Sequence, residues 1–390
     1  MKVLGLISGT SHDGVDAALV DFSMEGDLLV GRLLHSSTTP YPDALRARLA
    51  DALPPAATDL AEVCALDNLI GQHFRDVAVA ALGPAVHDGS GADLVCSHGQ
   101  TVYHWVDGGQ CLGTLQLGQP AWLAQGTGVP VLSDVRAADI AAGGHGAPLV
   151  CVLDALLLGG STQPVAALNL GGIANMTVLQ PGEVAYAFDI GPANALVDAA
   201  VLRLTSGVES YDPDGRYAAS GHVDLELLGA LLADPYYALA APKSTGKEHF
   251  HAAYLESVLS LHDEVAPVDV VTTVTELTAR VVVDAVTSAG VREVVASGGG
   301  VANTTLWQRI RGNAPDVTWR TTDEVGAPAD TKEAIAFALI GWLSAHGLPG
   351  NVASCTGASG GLVLGRLSPG RRGWPALGAA DTVPSRLELR

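Results

Sequence analysis

Apolar and polar positions alternate over residues 3–8, 15–21 and 28–35, and each run is short and bounded by Gly, Ser or Asp. That pattern predicts three consecutive β-strands, the first two joined through a glycine-rich tip. Ala/Leu-rich segments at about 42–53 and 57–82 carry apolar residues at helical spacing. Residues 93–97 read as a strand running into "SHGQTVYH", "GQPAWLAQGTG" as a helix stopped by glycine, and "VPVLSD" as a strand. A second series begins at "PVAALNLGGIANMTVL", again strand, glycine tip and strand, and "VAYAFDIGPANALVDAAVLRL" continues it as strand, loop and helix. The opening pattern thus recurs once, roughly 160 residues later, which predicts two related domains rather than a solenoid of short repeats. A helix over 271–289, a strand–loop–helix at "EVVASGGGVANTTLWQRI" and a helix at "DTKEAIAFALIGWLSAHG" complete the pattern. Beyond about residue 369 periodicity fades, and the tail is expected to be loosely ordered.

Composition narrows the class. The 390 residues are 48% hydrophobic and 16% charged with 46 glycines, as expected of a Gly/Ala-rich α/β enzyme with enough chain for two cores. A formal charge of −20 argues against nucleic acid or an anionic membrane as partner, since both reward Lys and Arg. Cys64, Cys96, Cys111, Cys151 and Cys355 are dispersed without CxxC or zinc spacing, so reduced thiols in a cytoplasmic protein are expected. The apolar part of "MKVLGLISG" is too short for a signal peptide, and Asp154 interrupts "APLVCVLDALLLGG" before it reaches a membrane span.

Three glycine-rich tips carry the candidate chemistry. In "SGTSHDGVD", Gly9 and Gly14 permit positive φ and close backbone approach, while Thr10, Ser11 and His12 stand between them. The hydroxyls suit phosphate oxygens, and Asp13 and Asp16 suit Mg²⁺, directly or through water. A polar β-turn has the same composition, and GxxxxGK[ST] is absent. "NLGGIANMT" repeats the chemistry with Gly171, Gly172 and Asn175, and "SGGGVAN" supplies Gly298, Gly299 and Gly300 between a strand and a helix. Three such tips point to a nucleotide.

Other residues have two readings each. Arg136 and Asp139, just after a strand, either line a crevice or anchor a loop. Asp189 in "FDIGPAN" is either a general base or a helix cap. Glu333 opens a helix, where an acid is favourable for dipole reasons alone. His98 and His104 either face a cleft or satisfy core hydrogen bonds.

Taken in order, "GLISGTSHDGVD", "SHGQTVYH", "LQLGQPAWLAQGTGVPVLSDVRAADIAAGGHGAPLV", "LNLGGIAN", "FDIGPAN", "PKSTGKEHF", "SGGGVAN", "DTKEAIAFAL" and "TGASGGLVLGRLSPG" resemble the bacterial anhydro-N-acetylmuramic acid kinases, nearly end to end. The resemblance implies two α/β domains of the actin-like ATPase (ribonuclease H-like) fold with an interdomain nucleotide cleft. The domains are then expected at 1–128 with about 345–370, and at 129–344, followed by a tail at 371–390. It implies a kinase that uses ATP and Mg²⁺ on a small-molecule anhydrosugar: water opens the anhydro bridge and O6 takes the phosphoryl group, giving N-acetylmuramic acid 6-phosphate for cell-wall recycling. On the matching positions Asp189 is the base and Glu333 a catalytic carboxylate, against the bland reading of that residue. His98, Arg136 and Asp139 lie toward the sugar; Gly9 to Asp16, Val15 among them, together with Gly171, Gly172, Asn175, Gly298, Gly299 and Gly300, lie toward the nucleotide, with Asp13 and Asp16 toward the metal. A homodimer is implied as well.

The chain departs from the family pattern near the sugar. Ile190 and Ala193 replace Thr and Gly of "FDTGPGN", His145 replaces Gln, Ala137 and Ala138 replace two arginines, and Gln119 replaces an acid. A kinase for another sugar such as 1,6-anhydroglucose, and an actin- or Hsp70-like nucleotide-binding module without catalysis, are the rival expectations.

Overall fold

The computed structural model describes residues 1–9, 11–54, 56–86, 91–181, 185–241, 243–246, 249–371, 373, 378–379 and 382–390. The chain opens with β1 (Lys2–Ser8), β2 (Gly14–Glu25) and β3 (Leu28–Pro40), then α1 (Asp43–Ala52) and α2 (Leu60–Leu82). β4 (Leu94–Asp107), β5 (Gln110–Leu117), α3 (Pro120–Thr127), β6 (Val131–Ser133), α4 (Ala137–Ala141) and α5 (Cys151–Leu157) follow. The second series is β7 (Val165–Leu170), β8 (Ile173–Leu179), β9 (Tyr186–Pro192), α6 (Asn194–Leu204), α7 (Arg216–Ser220), α8 (Leu225–Leu232), α9 (Ala252–Leu259), α10 (Pro267–Ser288), β10 (Glu293–Ser297), α11 (Thr304–Asn313) and β11 (Thr318–Thr321). The chain ends with α12 (Lys332–Ala345), α13 (Ala353–Thr356), β12 (Arg366–Ser368) and β13 (Arg386–Leu389).

These elements form two compact units, Met1–Gly159 with Val325–Arg390, and Gly160–Glu324. In the first, the strand order is β12-β6-β4-β1-β2-β3-β13, with β5 paired to β4. In the second it is β11-β10-β7-β8-β9. Both contain one arrangement: an antiparallel three-strand meander (β1-β2-β3; β7-β8-β9) whose first strand pairs in parallel with a fourth (β4; β10). A fifth strand then pairs in parallel with the fourth (β6; β11). This duplicated α/β topology is the fold class expected from the recurring sequence pattern.

The unit boundaries differ from those expected, for two packing reasons. β6 extends the first sheet through Val95↔Val131 and Cys96↔Leu132, which carries the chain just past residue 128 into the first unit. α12 packs on β1, β2 and β4 of the same sheet. Past Lys332 and Glu333 its sequence is apolar all round except for Ser344, as a helix buried on every side requires. The tail also departs from expectation: β13 adds to β3 in parallel, with Leu387 and Leu389 buried.

Helices cover both faces of the first sheet, α12 and α5 in one core cluster and α2 and α3 in the other. α2 starts at Asp59, whose side chain accepts the Glu62 N–H at 2.9 Å, and stops at Gly83 with φ 56°. Leu66, Ile70, Phe74 and Val77 form its buried stripe. The second unit buries one continuous core around α6 and α10. Among the described residues no helix is long and apolar enough to cross a membrane.

Candidate functional site

The β1–β2 tip occupies residues 9–13, of which Thr10 lies outside the described residues. Neither Gly9 nor Gly14 uses the positive φ that glycine permits; His12 takes one, at 53°, and its N–H donates to Gly9 O at 3.3 Å to close the turn. Gly9 is open: among the described residues a Cβ there would meet only Ser11 Oγ, at 3.8 Å. Gly14 is required by packing, because a Cβ would stand 2.8 Å from Pro40 Cα on β3. Val15 is fully buried, and its side chain belongs to the core. Ser11 Oγ donates to Asp13 Oδ1 at 2.8 Å. Beneath the tip lies a residue that sequence reasoning passed over. Gln100, fully buried, accepts from Ser8 Oγ at 2.6 Å and donates to Gly9 O at 3.1 Å, stitching the end of β1 to β4. A polar side chain in the buried half of a strand was its only signal.

Asp16 pairs across the ladder with Thr38, whose hydroxyl donates to Oδ1 at 2.6 Å. Burial, with Glu333, Asp13 and Asp330 nearby, pushes its carboxyl up to about 6 despite that bond. Glu333 opens α12 next to Lys332, which forms a buried ion pair with Asp154 at 2.7 Å. The Glu333 side chain reaches solvent, yet the protein mass around it holds its pKa above the ordinary value, against the pull of Arg136 and Lys332.

Arg136 donates from Nε to His98 Nε2 at 2.7 Å and from Nη1 to the Gly146 carbonyl. His98 is 3% exposed, packs its ring against Phe337 with centroids 4.7 Å apart, and reaches Gly99 O from Nδ1 at 2.9 Å. Burial, then Arg136, lowers its pKa well below the usual value. Asp139 has no exposed surface. Its carboxylate accepts from Gly146 N (2.8 Å), Asn351 Nδ2 (2.7 Å) and Thr356 Oγ1 (2.7 Å), so of its two readings the loop anchor is the one observed.

In the second unit the register lines up Ser297 on β10, Asn169 on β7, Asn175 on β8 and Asp189 on β9. Residues directly opposite one another share a face, so these four form a polar row across the sheet. Asp189 Oδ2 accepts from Ser244 Oγ at 2.8 Å and Thr245 N at 3.0 Å, and its carbonyl accepts from Tyr236 OH at 2.7 Å. It does not cap α6. The N–H groups of Ala193, Asn194 and Ala195 donate instead to Gly172 O, Gly171 O and Gly172 O at 2.9, 3.0 and 3.0 Å, so the β7–β8 tip itself closes that helix end. The third glycine loop joins the same end of the sheet: Gly298 takes φ 86°, and a Cβ on it would lie 2.6 Å from Asn169 Oδ1. Gly300 would meet Leu170 Cβ at 2.7 Å, while Gly299 is less confined. The structure therefore brings Gly171, Gly172, Gly298, Gly299, Gly300, Asn175 and Asp189 to one region. Ser244, Thr245 and Asn169 were missed, since neither spacing nor residue type ties them to Asp189.

Some of the sequence departures have local explanations. Ile190 and Ala193 are buried in the second core. Gln119 caps α3 by accepting from Ala121 N and also donates to Asp67 at 3.3 Å. Among the described residues no group of three His, Cys, Asp or Glu side chains is arranged to hold a metal by protein ligands alone.

Comparison with known proteins agrees with the motif order. Residues 1–370 match the profile described as anhydro-N-acetylmuramic acid kinase. The chain is 52% identical to the protein of that name from Streptomyces coelicolor, over 95% of this chain and 94% of the relative. It is 49% identical to the one from Rhodococcus erythropolis, over 100% and 99%. The chain belongs to the anhydro-N-acetylmuramic acid kinase family.

Proposed function

We propose that the chain uses ATP to phosphorylate 1,6-anhydro-N-acetylmuramic acid at O6 while water opens the anhydro bridge, giving N-acetylmuramic acid 6-phosphate. Asp189 takes the proton of water as its oxygen bonds to C1; the C1–O6 bond breaks and O6 attacks the γ-phosphorus, releasing ADP. The observation that carries this assignment is the hold on the Asp189 carboxylate, whose Oδ2 is oriented by Ser244 Oγ and Thr245 N. Oriented in this way, a half-buried carboxylate keeps one geometry toward an attacking water. Glu333, whose carboxyl holds its proton more tightly than an ordinary carboxylate, serves as the supporting carboxylate, and Arg136 presents a planar cationic fork to the acid group of the sugar.

The tips around Gly9 and Ser11, around Gly171 and Gly172, and around Gly298 and Gly299 are assigned to ATP. Asp13 and Asp16 fit Mg²⁺ held mainly by phosphates and water, since this ion keeps several waters and takes one or two carboxylates. The carboxylates of Glu333, Asp13 and Asp330 around the partly buried Asp16 favour a cation there. Bound Mg²⁺ supplies neutralisation of phosphate charge. Action in the cytoplasm and as a homodimer belongs to the same reading.

The test incubates the protein with ATP, Mg²⁺ and a panel of anhydrosugars in H₂¹⁸O, with mass spectrometry of the products. A 6-phosphorylated muramic product carrying ¹⁸O at C1 is expected. A 6-phosphate of 1,6-anhydroglucose origin alone would reassign the substrate, and ATP hydrolysis with every sugar untouched would leave a binding module.

A further inference from the structure

We infer that His98 is a positioning residue for Arg136: with its proton on Nδ1, it presents Nε2 as the acceptor that fixes the guanidinium, and it makes no contact of its own with the sugar. The inference rests on the assignment of Arg136 to the sugar.

The tautomer follows from donor and acceptor chemistry. A guanidinium has only N–H donors, so the 2.7 Å contact from Arg136 Nε requires a lone pair on His98 Nε2. The Gly99 carbonyl, 2.9 Å from Nδ1, accepts only, so Nδ1 carries the hydrogen. Both ring nitrogens are thereby used inside the protein, and the ring is 3% exposed against Phe337. Nothing of the imidazole is left for a ligand.

The second hold on Arg136 is Gly146 O, and Gly146 is itself fixed through its N–H to the buried Asp139. His98 and Asp139 thus set the guanidinium from two sides, one directly and one through the loop. Among the described residues Arg136 Nη2 has no hydrogen-bond partner, which leaves that edge of the fork for an anionic oxygen. Fixing the side chain beforehand spares the ordering cost that a free arginine incurs on binding.

Two measurements test this. In protein labelled with ¹⁵N-histidine, NMR is expected to show His98 neutral with hydrogen on Nδ1; hydrogen on Nε2 would overturn the proposal. In kinetics, His98→Leu is expected to raise KM for 1,6-anhydro-N-acetylmuramic acid about tenfold, the loss of one charged hydrogen bond. KM for ATP should stay within about twofold. His98→Gln, whose Oε1 can accept from Arg136 Nε, should recover the sugar KM, and in an Arg136→Ala background His98→Leu should add nothing. Equal losses for Leu and Gln, or additive losses in the double variant, would show that His98 acts otherwise. If wild-type protein phosphorylates no anhydrosugar, the functional reading falls while the NMR result still decides the histidine's role.

Discussion

Gly5 of β1 lies directly under Ala334 of α12: a Cβ on Gly5 would run into the Ala334 carbonyl and stand 2.5 Å from Ala338 N. The obstruction is helix backbone, which cannot rotate away as a side chain does. Glu333 is the next residue, so this contact also sets the height of that carboxylate over the first sheet. Gly5→Ala is expected to cost about 3 kcal/mol or more, an overpacking penalty at the upper end of its range. Urea unfolding measures it; a loss below about 0.5 kcal/mol, an ordinary surface effect, would mean that the helix can shift freely.

Asp16 makes the protein's stability depend on pH in an unusual direction. Its carboxyl titrates at about 6 in the folded chain against a model-peptide value of 3.8, so the folded state binds the proton more tightly. The stability linked to that proton is present in full below the unfolded value and is lost as pH rises through about 6. Asp16→Asn should therefore stabilise the protein at pH 7.5 by about 1 kcal/mol, allowing for solvent screening of a partly exposed group. The gain should vanish near pH 4. An unchanged stability difference from pH 4 to 7.5 would exclude Asp16 as the titrating group.

Asp189→Asn keeps the size of the side chain and an oxygen for Thr245 N, but removes the proton acceptor. Turnover should fall about 10³-fold, within the range of lost general-base catalysis, with ATP affinity little changed. Residual activity near wild type, measured by coupled ADP release, would take Asp189 out of the chemistry.

For Asp139 the expected phenotype is structural. Replacement by Ala leaves three buried donors, on Gly146, Asn351 and Thr356, without their acceptor. A loss of about 3 kcal/mol or more follows from unsatisfied buried groups. Thermal unfolding would show it; an unchanged unfolding temperature would mean that Asp139 does not anchor the loop.

The C-terminal strand gives a further test. Removing residues 385–390 exposes the β3 edge and takes Leu387 and Leu389 out of the core, which should cost about 3 kcal/mol. No change in the denaturation midpoint would mean that β13 contributes nothing to the fold.

Periodicity made most elements legible. β1, β2, β7 and β8, and the long helices α2, α10 and α12, stand close to where alternation or helical spacing puts them. It missed what depends on distant partners. β4 runs on to Asp107 and turns back as β5, so "SHGQTVYH" is the middle of a long strand and not its end; "VDGGQ" carried the turn signal. β13 is four residues whose strand character comes from the edge it joins.

By itself the sequence determined the two-fold α/β plan, the three glycine tips and the family, because these rest on short-range patterns and on motifs in order. Only tertiary structure decided what several residues at those motifs pack against or bond to. It made Gly14 a packing glycine, Val15 core and Asp139 an anchor, gave His98 to Arg136, and set Asn169, Asn175 and Asp189 in one row. The reason is that a side chain's role is fixed by its neighbours, and strands and loops bring those neighbours together from positions far apart in the chain.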